Sequence, residues 1–229
     1  FVDRAWRIAT SGYPGPVHLS MPVDIMFSSF DESFSDMERP FTRKEPKTYK
    51  AWPEPSALNE IIGIIKSSKK PIIIGGHGIW WSKNEDLLKQ VGDEIKIPIF
   101  NVPYHQKLLN ENCKAFLGLA DVHQYHPSKF AFNESDCIIM VGGRLDNQMN
   151  FGNPPLFPAS SRLICVNGSH EEIEFNRAAD HLLLSDPGAF FEGLLESYNR
   201  DKLSLEKDWL AKNIEERKKW VAASVNNLV

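Results

Sequence analysis

The chain has 229 residues, 30 acidic against 26 basic side chains, a formal charge of −4 and 42% hydrophobic content. That length and apolar share support one or two domains with a sizeable core. The slightly acidic balance gives no electrostatic footprint for nucleic acid or an anionic membrane, no run approaches the ~20 apolar residues of a bilayer span, and the start lacks a secretory signal pattern.

Val2, Ala5, Trp6 and Ala9 fall at helical spacing, so the chain reads as opening inside a helix, and with Phe1 in first place something is expected to precede it. After the turn Ser11-Gly12-Tyr13-Pro14-Gly15, residues Pro16 to Pro22 read as a strand without a nearby hairpin partner. Residues 28 to 54 mix Ser, Asp, Glu, Lys and Pro with no sustained period and read as a linker.

The next segments alternate. Pro55-Ser56 starts a helix with the stripe Leu58, Ile61, Ile62, Ile64 and Ile65 and Ser56 as its cap, and strand Pro71 to Ile74 follows. Ser82-x-x-Glu85 reads as a capping box before Leu87, Leu88, Val91 and Ile95, ahead of strand Ile97 to Asn101. Pro127 to Glu134 reads as helix, Cys137 to Val141 and Leu163 to Val166 as strands, His170 to Arg177 as a short acidic helix, and His181 to Leu184 as the last strand. Asp186-Pro187 caps and starts a helix over 188–199, and 203–227 reads as a longer charged helix carrying Trp209, Ile214 and Trp220. This alternation predicts a doubly wound, Rossmann-like parallel sheet of about six strands flanked by helices, with the N-terminal strand left over from a neighbouring domain.

Cys113, Cys137 and Cys165 are far apart, the last two inside strand-like runs, which fits buried thiols and a cytoplasmic setting.

Function in such a sheet belongs at the carboxyl ends of the strands. Gly75-Gly76-His77-Gly78 ends one strand, and its missing side chains would admit a pyrophosphate; a tight turn needing positive φ explains it equally, and Trp81 stands at the last glycine position of G-x-G-x-x-G. Gly142-Gly143-Arg144 ends a second strand, its arginine either clamping a phosphate or pairing with Asp146. Asp186 is a helix cap with adenine contact as an added role, and Glu172 and Asn176, four apart on a helix, would reach a ribose or simply face solvent. Asp121-x-His123-x-x-His126 has metal-ligand residue types but no second ligand cluster, and Trp80-Trp81 reads as packing.

The ordered set resembles the thiamine-diphosphate-dependent 2-oxo acid enzymes of the acetolactate synthase, oxalyl-CoA decarboxylase and benzaldehyde lyase type. Ala9-Thr-Ser-Gly-Tyr-Pro-Gly-Pro-Val-His-Leu-Ser-Met-Pro-Val-Asp24 is similar to the end of the family's pyrimidine-binding domain, and residues 55 to 197 resemble its central domain. The resemblance implies residues 1–27 as the end of the first domain, 28–54 as linker, 55–200 as central domain and 201–229 as a connection toward a diphosphate-binding domain. It implies thiamine diphosphate and Mg2+ in the full-length enzyme, a homodimer or homotetramer, and a carbon–carbon lyase or transferase reaction on 2-oxo acids or 2-hydroxyacyl compounds. The activating glutamate and the Gly-Asp-Gly with its downstream Asn-Asn are not in this sequence, since Asn226-Asn227 has no Gly-Asp-Gly before it, so the chain alone is expected to be non-catalytic.

The family's central domain holds FAD, ADP or nothing, and its contacts map onto Gly75, Gly76, His77, Gly142, Gly143, Arg144, Asp146, Glu172, Ile173, Asn176 and Asp186. Three positions depart: Tyr13 and Gln148 stand where arginines are common, and Asn167 where the strand end has an aspartate. The run Arg144-Leu-Asp-Asn-Gln-Met-Asn-Phe-Gly152 looks more like the acetolactate-synthase-like lyases than the pyruvate decarboxylases. A freestanding FAD- or NAD-binding redox protein and a non-catalytic docking subunit are the alternatives.

Overall fold

The computed structural model describes residues 1–11, 14–29, 50–103, 108–123, 125–174, 176–201, 205–206 and 208–226. The chain divides into a unit of Phe1–Lys50 and a unit of Ala51–Val229.

The first unit contains helix α1 (Val2–Thr10) and the short α2 (Val23–Met26), neither with a buried residue. The strand expected over Pro16–Pro22 is not formed, and those residues are exposed. A single extended segment has unpaired amides and carbonyls, and without a neighbouring strand nothing converts it into a ladder. Tyr13 and residues 30–49 of the expected linker lie outside the described residues.

In the second unit six parallel strands form one sheet in the order β3-β2-β1-β4-β5-β6. These are β1 (Pro71–Gly75), β2 (Ile99–Asn101), β3 (Phe116–Leu119), β4 (Cys137–Val141), β5 (Arg162–Asn167) and β6 (His181–Leu184). Strand β3 has no counterpart in the sequence reading, because Phe116-Leu-Gly-Leu119 is short and its Gly118 sits at φ +117. The order runs outward in both directions from β1 and β4, so the reversal of winding lies between these two strands.

Helices cover both faces. Alternate residues of β1 point to opposite sides: Ile73 joins a core with α3 (Pro55–Ser67), α5 (Glu85–Ile95) and α7 (Pro187–Arg200), while Ile72 and Ile74 join α6 (His126–Glu134) and α8 (Trp209–Asn226). All three isoleucines are fully buried, each contributing about 2 kcal/mol of hydrophobic free energy. Trp209 anchors α8 by donating its indole N–H to the Pro71 carbonyl at 3.0 Å.

Three local readings are corrected. Helix α3 is capped by Glu54, whose carboxylate accepts from the Ala57 amide at 3.0 Å and from the Ser56 hydroxyl, because Pro55 and not Ser56 holds the first helical position. The residue before α5 is Asn84, and Ser82 instead donates to the Gly78 carbonyl, closing the unpredicted five-residue α4 (His77–Trp81). Residues 170–174 form turns rather than a helix, with Glu174 at φ 58 and Asn176 at φ 80, left-handed values that no right-handed helix accommodates. Cys113, Cys137 and Cys165 are buried and free, and burial pushes the Cys137 and Cys165 thiols up to about 11.

Candidate functional site

The two glycine-ended strands, 66 residues apart in sequence, are neighbours at the reversal point, with Gly75 paired to Val141. Beyond them the chain ends of β1 and β4 touch backbone to backbone. A Cβ added to Gly76 would meet Gly143 Cα at 2.4 Å and the Gly142 carbonyl oxygen at 2.5 Å; one added to Gly78 would meet Gly142 Cα at 2.8 Å. Of these four residues only Gly142 has positive φ, at 64°, so close approach rather than turn geometry requires the others.

Their main-chain groups bond across the same contact. The Gly76 amide donates to Val141 at 2.9 Å, the Gly78 amide to Gly142 at 2.8 Å, and the Gly142 amide to Val166 on β5 at 2.8 Å. His77 opens α4, whose five residues carry the half-exposed Trp80 and Trp81 in an edge-to-face contact at 4.8 Å.

Arg144 pairs with Glu172. Its Nε and Nη2 both donate to the Glu172 carboxylate, which is 9% exposed, while the arginine side chain is 45% exposed. Asp146 caps the short 3-10 helix Asn147–Gly152 by accepting from the Gln148 amide at 3.1 Å, and burial raises its carboxyl above the usual range. The turn segment that replaces the expected helix still brings Glu172 and Asn176 to one place: Asn176 donates to the Leu145 carbonyl at 2.5 Å, beside the Arg144 pair. Ile173 packs, half buried, on the core of that face.

Asp186 is a helix cap as expected. Its carboxylate accepts from the Gly188 amide at 2.8 Å, the Ala189 amide at 3.3 Å and Asn84 Nδ2 at 3.3 Å. Its own amide donates to the Ala51 carbonyl at 2.9 Å, tying the residues just before α3 to the β6 end. Asn167, at the end of β5, is buried and accepts from the Ser169 amide at 3.2 Å, a role its sequence reading did not include.

The eleven predicted positions follow the carboxyl ends of β1, β4, β5 and β6, and a contact that sequence reasoning lacked, Arg144 with Glu172, links the β4 and β5 ends. The open groove lined by Glu85, Asp86, Lys89, Leu108, Leu109 and Asn110 contains none of them. Among the described residues no group of three or more His, Cys, Asp or Glu is placed to hold a metal; His123 Nε2 instead faces the Asn147 carbonyl at 3.3 Å. No described helix is long and apolar enough to cross a membrane.

Residues 58–194 match a family model, the thiamine pyrophosphate enzyme central domain, and the chain belongs to that family. Among its relatives, a probable acetolactate synthase large subunit of Methanococcus aeolicus is 29% identical over 189 residues, covering 80% of this chain and 30% of that one. The 2-hydroxyacyl-CoA lyase of Arabidopsis thaliana is 27% identical over 208 residues, covering 87% of this chain and 34% of that one. The crystal structure of benzoylformate decarboxylase from Polynucleobacter necessarius superposes with a TM-score of 0.63 at 20% identity over 84% of this chain and 35% of its own, a likeness of fold. The chain thus spans about a third of the length of the relatives it matches.

The family name implies thiamine diphosphate.

Proposed function

We propose that this chain is the central structural part, with flanking segments, of a thiamine-diphosphate-dependent carbon–carbon lyase or transferase of the acetolactate synthase and 2-hydroxyacyl-CoA lyase kind. Its substrates in the complete enzyme are 2-oxo acids or 2-hydroxyacyl compounds, and thiamine diphosphate with Mg2+ is held by neighbouring pyrimidine-binding and diphosphate-binding domains of a homodimer or homotetramer.

The match of the central-domain model to residues 58–194 carries this reading. The match to only about a third of each relative supports a role as one part of a larger enzyme. The part's work is mechanical: a sheet buried on both faces holds its two ends at fixed separation, so the domains attached to them keep the geometry their shared cofactor needs. Proton transfer and covalent chemistry are assigned to residues outside this chain.

The test is an assay of the purified 229-residue chain with pyruvate, thiamine diphosphate and Mg2+. The expected result is no carbon dioxide release above the cofactor-only blank. Multiple turnovers would overturn the reading.

A further inference from the structure

A dinucleotide at a sheet's reversal point is held by main-chain amides, a cation on its phosphates and a carboxylate or amide on its nucleoside. In this chain the groups best placed for those roles have internal partners, the buried Asn167 Nδ2 at the end of β5 excepted. The Gly76, Gly78 and Gly142 amides serve the Val141, Gly142 and Val166 carbonyls. The Asp186 amide serves Ala51, and the Asp186 carboxylate serves α7 and Asn84.

The cation is committed in the same way. Arg144 presents Nε and Nη2 to the two oxygens of Glu172, the forked contact a phosphate would otherwise receive. Glu172 itself is 7% exposed, so moving Arg144 to a ligand would strand a carboxylate with little access to water.

The space is closed as well. The side-chain-free surfaces of Gly76 and Gly142 face each other's strand ends, and a single carbon added at Gly76 would lie 2.4 Å from backbone. Glycine here admits the neighbouring main chain, not a pyrophosphate.

We infer that the carboxyl edge of this sheet is a self-liganded seam that takes no FAD, NAD or ADP, with the Glu172 carboxylate occupying the phosphate's place on Arg144. The seam fastens three pieces of chain to the sheet: the residues before α3 through Ala51, the segment after β4 through the glycine contact, and the 172–176 turns through Arg144 and Leu145.

The experiment is a calorimetric titration of the 229-residue chain with ADP and, separately, FAD, paired with thermal unfolding of the wild type and of Arg144→Lys without nucleotide. The seam predicts no saturable heat with either ligand and a lower Tm for Arg144→Lys, because an ammonium cannot reproduce the forked contact with Glu172. One-to-one saturable binding of ADP or FAD by the wild type overturns the inference. So does an Arg144→Lys variant that melts with the wild type, since the pair would then hold nothing together. Nucleotide binding would leave the central-domain reading standing, because that reading rests on the family match and fails by a different assay.

Discussion

Replacing Gly76 by alanine tests the contact between β1 and β4 with one carbon atom. That carbon would lie 2.4 Å from Gly143 Cα, 2.5 Å from the Gly142 carbonyl oxygen and 2.7 Å from the Gly143 amide nitrogen. All three are backbone atoms of the central neighbouring strand's end, so no side-chain rotation relieves the overlap. Overpacking costs about 1–3 kcal/mol where side chains can adjust, and the upper end applies where only main chain can. With a urea slope of about 2 kcal/mol/M, a loss of about 3 kcal/mol lowers the unfolding midpoint by about 1.5 M. Gly63→Ala is the matched control: it lies in α3, exposed, with nothing within 4 Å of the added carbon. Removing an interior helix glycine there gains about 0.5–1 kcal/mol and raises the midpoint slightly. Urea unfolding followed by circular dichroism reads both variants. A Gly76→Ala midpoint equal to the wild type would refute the close approach of the two strand ends.

Asp186→Ala removes the cap of α7 and the acceptor for Asn84, and is expected to lower stability by about 1–2 kcal/mol in the same urea assay. Trp209→Ala empties a 2% exposed site and frees the Pro71 carbonyl, with an expected loss of about 3–5 kcal/mol. Cys137 and Cys165 carry folded pKa values of about 11, above their usual 9.0, so the stability they contribute is present below pH 9 and lost as pH rises through about 11. A pH series of thermal unfolding should show Tm falling across that window, and a thiol reagent at neutral pH should label the three buried cysteines only after denaturant is added.

The fold was largely legible because its strands are unbroken apolar runs, Pro71-Ile-Ile-Ile74 and Cys137-Ile-Ile-Met-Val141 among them, which a sheet buried on both faces requires. Phe116–Leu119 escaped notice because a four-residue strand containing glycine has too little pattern to separate it from a loop. Pro16–Pro22 has the composition of a strand, yet strand formation depends on a partner, which composition does not encode. The site was legible as an edge but not as a set of contacts. Sequence placed Gly76 and Gly143 at strand ends; only the sheet order shows that those ends meet. Arg144 and Glu172 stand 28 positions apart, and the helix expected around Glu172 would have set its side chain by a period that the left-handed Glu174 and Asn176 do not follow.

On the proposed function, this chain positions a cofactor's domains without holding the cofactor. Calorimetric titration of the 229-residue chain with thiamine diphosphate in the presence of Mg2+ is the decisive measurement. The expected result is no saturable binding; a one-to-one isotherm with a dissociation constant in the micromolar range, about −8 kcal/mol, would overturn that role.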